Sequence, residues 1–208
     1  MSVAVLAPQV EDRPAHAAHT DRIADAALRC ISRWGVSKTT LDDVAREAGV
    51  SRATVYRVFP GGKDGLLDVL ARREARRYFT AVADAMAAAD SLEDTLVAGM
   101  AAAGRGILSH DALQYLMAHE PEVVLPRLAF GKLDEVLAIS AAVAAPHLER
   151  WLGADDARRA AEWVARLVLS YACTPGDSEL DIADPASVRR LVRTFVLPGL
   201  TPPPRGTT

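Results

Sequence analysis

The sequence predicts an all-α protein. Hydrophobic residues make up 50% of the 208 residues and charged residues 25%, which is ordinary for a globular protein. Aromatic residues make up only 5%, so Ala, Leu and Val must supply most of the packing, as suits closely spaced helices. Apolar residues recur at spacings of three and four along most of the chain, whereas the alternation typical of strands is rare. We expect about nine helices.

Proline positions and helical periodicity divide the chain into four parts. Residues 1–19 contain two prolines and no sustained periodicity, which predicts a disordered arm. Residues 20–66 and 67–197 are predicted to form two helical domains, and residues 198–208 a proline-rich, disordered tail. The start of the chain lacks a basic segment followed by a long apolar core, so we expect a cytoplasmic protein without a secretory signal.

The first helix is predicted from Thr20 to about Trp34, because Gly35 supplies the backbone freedom that ends a helix. Its apolar stripe comprises Ile23, Ala26, Ala27, Cys30, Ile31 and Trp34. We expect this stripe, including Cys30 and Trp34, to lie in the core and to brace the helices that follow.

Residues 40–59, TLDDVAREAGVSRATVYRVF, predict two short helices joined by a tight turn. Thr40 is placed to cap the first helix, and Asp43 stands where a capping box has its second member. Gly49 allows a left-handed residue at the end of that helix, and Ser51 caps the next. This arrangement is a helix-turn-helix, whose second helix lies in the major groove of DNA. The alternative is a plain helical hairpin whose polar face meets only water.

The second helix of this unit has an apolar face, Val55 and Phe59, and a polar face suited to DNA. Arg pairs bidentately with guanine, while hydroxyl and ammonium groups suit phosphates. The predicted DNA contacts are Thr40, Ser51, Arg52, Thr54, Tyr56, Arg57 and Lys63. Tyr56 and Lys63 are assigned to phosphates. Arg52, Thr54 and Arg57 are assigned to bases.

The charge of the chain is distributed unevenly. A formal net charge of −3 gives no global sign of nucleic-acid binding. Basic residues nevertheless concentrate in the first part of the chain: Arg29, Arg33, Lys38, Arg46, Arg52, Arg57, Lys63, Arg72, Arg73, Arg76 and Arg77. Because phosphate neutralisation is local, such a face is sufficient for a DNA-binding domain, although a solvated helix face is the alternative for the last four.

The run from Thr20 to Leu67 resembles the amino-terminal DNA-binding domain of TetR-type (TetR/AcrR) transcriptional regulators. The matching features are a first helix ending at Gly35, Thr39-Thr40 before the second helix, Tyr56-x-x-Phe59 closing the third, and then Lys63 and Leu66-Leu67. The sequence departs from the family pattern in the loop before Lys63, which is one residue longer, and at Val58, where the family often has His.

The resemblance implies a regulator with three kinds of partner: double-stranded operator DNA, a small-molecule effector and a second copy of the chain. In this family the fourth helix connects the two domains, and the last two long helices form the dimer interface. Repression is the family's commonest mode. A homodimer also follows from function, since one recognition helix contacts few base pairs and a two-fold dimer recognises a palindrome.

The second domain is predicted to contain helices to about Ala88, to Leu108, from Asp111 to the halt at Pro121, and over residues 133–151. A further helix follows the turn at residues 153–155 and runs to about Cys173, and a last helix that includes Val188 and Val196 follows the loop of residues 174–185. The helix ending at Leu108 contains Gly99, Gly104 and Gly106, and glycines destabilise helices by up to about 1 kcal/mol each. We expect them to permit the close approach of another helix or of a ligand, with tight packing alone an equal alternative.

Broken helical segments between residues 111 and 131 combine aromatic, sulfur and polar groups, which suits a ligand cavity. The resemblance implies an effector cavity in this region, for an apolar or amphipathic molecule. The predicted pocket residues are Met100, Tyr115, Met117, His119, Arg127, Phe130 and Trp163. The predicted dimer interface comprises Val164, Leu167, Val168, Tyr171, Val188, Leu191, Val192 and Phe195. Burial within the monomer is the alternative for both sets.

The sequence offers little for catalysis. It contains no glycine-rich phosphate loop after a strand, no GxSxG and no HExxH. His119, Glu120 and Glu122 are near one another but point in different directions on a helix, so we expect no metal site and no cofactor. We therefore predict that the chain is not an enzyme. The alternative to a regulator is a helical ligand-binding or protein-interaction module without operator binding, which the longer loop before Lys63 leaves open.

Overall fold

The computed structural model describes residues 13–123, 132–173 and 180–200. These residues form ten helices and one π-helical turn, with no strand among them, which confirms the all-α prediction. The chain divides into two compact units, Met1–Arg72 and Arg73–Thr208. No helix within the described ranges is long and apolar enough to cross a membrane.

The first unit contains α1 (Arg13–Lys38), α2 (Leu41–Ala48), α3 (Arg52–Val58) and the start of α4 (Gly62–Ala87). Because α1 begins at Arg13, residues 13–19 are helical, and the predicted arm is wrong for them. Residues 1–12 lie outside the described residues. The division after Arg72 falls a few residues beyond the predicted domain boundary at 66/67.

Gly35, with φ 80° and ψ 172°, interrupts α1 at the point where the sequence predicts its end, and the helix continues beyond it to Lys38. Most of the predicted stripe of α1 is buried: Ile23, Ala26, Ala27, Cys30 and Ile31 are 0–3% exposed. Burial raises the pKa of the Cys30 thiol, as expected for a small core residue. Trp34 is an exception to the prediction, because it lies in the last turn before the interruption and is 41% exposed.

The second unit continues α4 and adds six helices and the π-helical turn. They are α5 (Leu92–Leu108), α6 (Asp111–His119), α7 (Lys132–Leu148), α8 (Ala154–Cys173), α9 (Pro185–Leu191), the turn (Val192–Val196) and α10 (Leu197–Leu200). Ser91 caps α5 by accepting a hydrogen bond from the Asp94 N–H. The end of the last helix differs from the prediction, since residues 198–200 are helical and not part of a tail. Residues 124–131, which belong to the broken helical segments predicted between residues 111 and 131, lie outside the described residues.

Glycines in α5 allow its neighbours to approach its backbone. A β-carbon at Gly104 would overlap the carbonyl group of Ile182, and one at Gly106 would lie 2.7 Å from the Tyr78 ring. A β-carbon at Gly99 would meet the flexible side chain of Met86 at 2.8 Å. The predicted close approach is confirmed, and protein atoms occupy the space beside all three glycines.

An ion cluster joins the start of α5 to the last helical segment. The Arg189 guanidinium bonds the carboxylates of Glu93 and Asp94, the latter at 2.8 Å, and Arg193 Nε lies 3.0 Å from Glu93 Oε1. Hydrogen bonds from Arg193 and Arg189 hold the pKa of Glu93 below its usual range. Two segments far apart in sequence are thereby connected at the surface of the second unit.

Candidate nucleic-acid interface

Thr40 begins α2 in a capping box with Asp43. The Asp43 N–H donates to Thr40 Oγ1 at 3.2 Å, and the Thr40 N–H donates to the Asp43 carboxylate at 3.2 Å. Hydrogen bonds from the Thr40 side chain and backbone hold the pKa of Asp43 below its usual range. The capping box is therefore confirmed with Asp as its second member, and the Thr40 hydroxyl is engaged within the protein.

The turn between α2 and α3 has the predicted geometry. Gly49 adopts the left-handed conformation, with φ 63° and ψ 37°, and its N–H bonds the carbonyl of Arg46 at 3.2 Å. Ser51 caps α3, since its hydroxyl accepts from the Thr54 N–H at 3.1 Å and lies 2.9 Å from the Thr54 hydroxyl. These local bonds determine where α3 starts and which way its first turn faces.

The recognition helix α3 separates into a buried face and an outward face. Val55 is fully buried and Phe59, just beyond the helix, is 3% exposed. Arg52 and Arg57 are exposed on the other side, and Tyr56 is 42% exposed. An apolar anchor opposite two guanidinium groups and a phenol is the arrangement that a helix needs to present donors to the major groove.

Arg52 is held in place by two neighbours. Its Nη1 donates to Asp42 Oδ2 at 3.1 Å and its Nη2 lies 3.4 Å from the Tyr56 hydroxyl. The guanidinium carbon stands 5.4 Å from the centre of the Tyr56 ring. The hydrogen bond with Tyr56 and the charge of Asp42 raise the pKa of Arg52. Sequence reasoning missed Asp42, because no local pattern links α2 to a residue beyond the turn.

Lys63 is placed differently from the other predicted DNA contacts. Its Nζ donates to the Val36 carbonyl oxygen at 2.6 Å, and the Ser37 oxygen lies 3.5 Å away. The side chain is half-buried against the end of α1. The contact of Lys63 with a phosphate stays a prediction. It requires the hydrogen bond between Lys63 and the Val36 carbonyl oxygen to break. The other six, Thr40, Ser51, Arg52, Thr54, Tyr56 and Arg57, lie together on the helix-turn-helix.

Several basic residues of this unit form ion pairs with its acidic residues. Glu47 on α2 receives Arg29 Nε at 2.6 Å and Arg33 Nη1 at 3.3 Å, both from α1. These arginines, with the Arg29 hydrogen bond foremost, hold the pKa of Glu47 below its usual range. Arg46 pairs with Asp43 at 3.2 Å. The basic face that composition indicates is therefore smaller than the count of arginines implies.

The predicted pocket residues occupy different environments in the second unit. Met100 is 1% exposed in the core, while Trp163 is 41% exposed. Tyr115 and Met117 are half-buried on α6, and the exposed His119 stacks on Tyr115 with ring centres 4.3 Å apart. Arg127 and Phe130 lie outside the described residues. The effector site stays a prediction.

Burial removes half of the predicted dimer interface from the surface. Val168, Val188, Leu191 and Val192 are 0–8% exposed in a single chain. They pack in the core of the second unit, so they have no surface to offer a partner, and the alternative of burial within the monomer holds for them. Val164, Leu167 and Tyr171 are partly buried, and Phe195 is 66% exposed. These four keep their assignment as a prediction.

The described part of the chain contains no group of three or more His, Cys, Asp or Glu side chains arranged to hold a metal ion.

The chain is similar to known proteins in sequence and in fold. Residues 13–70 match the family model of bacterial regulatory proteins, tetR family. Rv1255c of Mycobacterium tuberculosis strain H37Rv, an uncharacterized HTH-type transcriptional regulator, is 29% identical over 186 residues, covering 88% of this chain and 85% of its own. HTH-type transcriptional regulator AlkX of the same strain is 27% identical over 194 residues, covering 84% and 83%.

Among solved structures, a similar fold occurs in the TetR family repressor AlkX from Dietzia sp. strain DQ12-45-1b, a protein implicated in the biodegradation of n-alkanes. Its TM-score is 0.59 at 24% identity, with 88% of this chain and 97% of that chain covered. The comparisons confirm the resemblance to TetR-type regulators. They also confirm the prediction that the chain is not an enzyme, since the relatives are transcriptional regulators.

Proposed function

We propose that this chain, which belongs to the TetR family of bacterial transcriptional regulators, is a ligand-responsive repressor that binds a palindromic operator as a homodimer. The observation that carries the proposal is the outward face of α3. Arg52, Tyr56 and Arg57 project from a short helix whose other side is anchored by the buried Val55 and Phe59. A face of this kind donates to base edges and phosphates at the same time.

Each predicted contact has a role set by its chemistry. Arg52 and Arg57 have the fork geometry that pairs with guanine, and each good bidentate pair contributes about 1–3 kcal/mol of discrimination between bases. Tyr56 positions the helix by donating its hydroxyl to a phosphate. Thr40 and Ser51 cap α2 and α3 and so place the outward face of the helix-turn-helix against the DNA backbone.

A second copy of the chain supplies the other half of the operator contact. The exposure of an apolar side chain supports self-association, since Phe195 is 66% exposed. Val164, Leu167 and Tyr171, which lie together on α8, are only partly buried. Covering these groups with a partner removes apolar surface from water, and a two-fold pair matches a palindrome.

The effector is proposed to be a small apolar or amphipathic molecule. Met117 and Tyr115 on α6 are half-buried, adaptable groups of the type that binds such molecules. The implication of the Dietzia AlkX in n-alkane biodegradation supports this chemical class. Effector binding releases the operator by favouring a dimer geometry that fits DNA poorly, and the ligand's differential affinity for the two geometries bounds the size of the effect.

A gel-shift titration tests the proposal. Purified protein is titrated against the DNA upstream of its own gene at two salt concentrations with excess nonspecific competitor, and the complex is footprinted. We expect a competitor-resistant complex over a palindrome that medium-chain n-alkanes or fatty acids dissociate. If a genome-wide binding selection also returns no preferred site, operator binding is excluded, and the chain is instead a helical ligand-binding or protein-interaction module.

A further inference from the structure

The first unit holds an ion pair that joins the two helices of the helix-turn-helix across its outer surface. Asp42 lies in the first turn of α2 and Arg52 is the first residue of α3. Arg52 Nη1 and Asp42 Oδ2 are 3.1 Å apart, with 63% and 51% of the two side chains exposed. A base-directed arginine and a carboxylate therefore share one solvent-facing surface.

Asp42 differs from the other acidic residues of α2 in what it contacts. Asp43 is engaged in the Thr40 capping box and with Arg46. Glu47 is clamped by two arginines of α1. Those two carboxylates stabilise the unit, whereas Asp42 bonds a side chain that the proposed function places on DNA. A carboxylate in the first turn of α2 stabilises that helix through its dipole, but on a DNA-binding face it also repels phosphates, so Asp42 affects DNA binding as well as stability.

We propose that Asp42 is a specificity-determining residue. By holding Arg52 in an ion pair, it keeps the guanidinium from contacting the phosphates of non-operator DNA. The inference rests on the proposed function, because it assigns Arg52 to a base edge. Nonspecific binding arises from phosphate neutralisation and is indifferent to sequence. A guanidinium paired with Asp42 contributes little net charge to that neutralisation. Operator and non-operator complexes therefore differ in the acceptor that Arg52 binds once its ion pair with Asp42 opens.

At the operator, Arg52 exchanges Asp42 for the O6 and N7 acceptors of guanine, which match its fork. On other DNA it exchanges one carboxylate for one phosphate, which does not match both arms of the guanidinium fork. Asp42 is left unneutralised in both complexes, so the difference lies in the acceptor that Arg52 binds. The ion pair itself is exposed, and exposed pairs are weak, so it opens readily when a good acceptor is present. Tyr56 also contacts the guanidinium, since its hydroxyl lies 3.4 Å from Arg52 Nη2 and its ring centre 5.4 Å from the guanidinium carbon.

The test uses Asp42→Asn in the full chain, which keeps a hydrogen-bond acceptor and removes the charge. Affinity for a duplex of scrambled sequence is measured by fluorescence anisotropy across a salt series, with the footprinted operator measured in parallel. We expect nonspecific affinity to rise about threefold to tenfold, because Arg52 is no longer paired with a carboxylate and can contact a phosphate. The slope of log K against log salt should steepen by about 0.9, the value for one added phosphate contact. The ratio of operator to nonspecific affinity should fall.

Two further variants isolate the mechanism. Asp68→Asn removes the same charge from an exposed position on α4, and it should raise nonspecific affinity much less. In an Arg52→Gln background, Asp42→Asn should lose most of its effect, because the proposal requires the two residues to be coupled. Circular dichroism verifies that each variant is folded.

Unchanged nonspecific affinity in Asp42→Asn would overturn the proposal, as would an equal rise in Asp68→Asn or a full effect without Arg52. Weaker operator binding with unchanged nonspecific binding would also overturn it, since Asp42 would then be a direct operator contact. If the proposed function is wrong, the wild-type protein will show no preferred DNA sequence. The measurement on the scrambled duplex needs no operator, so the two failures are distinguishable.

Discussion

Lys63 donates a hydrogen bond to the backbone carbonyl oxygen of Val36, with 2.6 Å between Nζ and the oxygen. Gly35 interrupts α1 one residue earlier, so this carbonyl lies at the end of the helix, where backbone acceptors lack continuing intrahelical donors. The ammonium group thereby fastens the start of α4 to the end of α1. A lysine that the family resemblance assigns to a phosphate has a structural partner in the same unit.

Replacing Lys63 with Met should destabilise the first unit. Loss of a charged, half-buried hydrogen bond should lower the free energy of unfolding by about 1–2 kcal/mol. Urea unfolding followed by circular dichroism measures the change. Lys38→Met, at the exposed end of α1, is the control with the same loss of charge. Wild-type stability combined with weaker DNA binding would instead show that Lys63 serves the phosphate.

Replacing Arg57 with Ala should weaken operator binding and leave the fold intact. The side chain is exposed in the last turn of α3, so its loss should not affect the core. Loss of a bidentate base contact should reduce operator affinity about tenfold to a hundredfold. Gel shifts at matched salt measure this, with Arg46→Ala on α2 as the control. Unchanged operator affinity would falsify the assigned role of Arg57.

Replacing Gly104 with Ala should destabilise the second unit more than the same change at Gly99. A β-carbon at Gly104 meets the backbone of Ile182, which cannot rotate away, whereas at Gly99 it meets the flexible side chain of Met86. We expect a loss of about 1–3 kcal/mol at Gly104, beyond the helix propensity that Ala gains. Thermal unfolding gives the ranking. Equal stability of the two variants would show that the Ile182 backbone can move.

Replacing Glu93 with Gln should make stability less dependent on acid pH. Arg193 and Arg189 lower the pKa of the Glu93 carboxyl from its ordinary value of 4.5. Its stabilising contribution is therefore fully present above about pH 4.5 and is lost as pH falls through the lower folded pKa. Urea midpoints should be lower for the variant at pH 7 and converge with the wild type in more acidic solution. Glu149→Gln, an exposed glutamate after α7, is the control; a constant offset across pH would contradict the ion-pair explanation.

Replacing Phe195 with Asp should shift the chain towards monomers. Phe195 is 66% exposed, so the substitution places a charge on an apolar surface that the proposed dimer covers. Sedimentation equilibrium measures the dissociation constant, which should rise at least about tenfold for a residue central to an interface. Ile139→Asp, at a side chain 49% exposed on α7, is the matched control. A greater effect of the control would place the interface on α7.

The fold class and the local geometry of the helix-turn-helix were predictable because they depend on neighbours in sequence. The Thr40 cap, the left-handed Gly49 and the Ser51 cap each involve residues at most a few positions apart. The extent of helices was less predictable, since α1 starts before Thr20. Whether Leu191 and Val192 are buried within one chain or between two was left open, because an apolar stripe does not reveal whether its partner is the same chain or another.

The sequence by itself determined an all-α chain with a capped helix-turn-helix and an outward basic face on α3, because caps, turns and amphipathic faces are encoded within three or four residues. The tertiary structure decided which side chains form hydrogen bonds or ion pairs with other parts of the protein. The bonds of Arg52 to Asp42, Lys63 to Val36 and Arg189 to Glu93 join residues 10, 27 and 96 positions apart. Helix packing alone brings such charges within hydrogen-bond distance, so charge partners, unlike caps, were set by the fold.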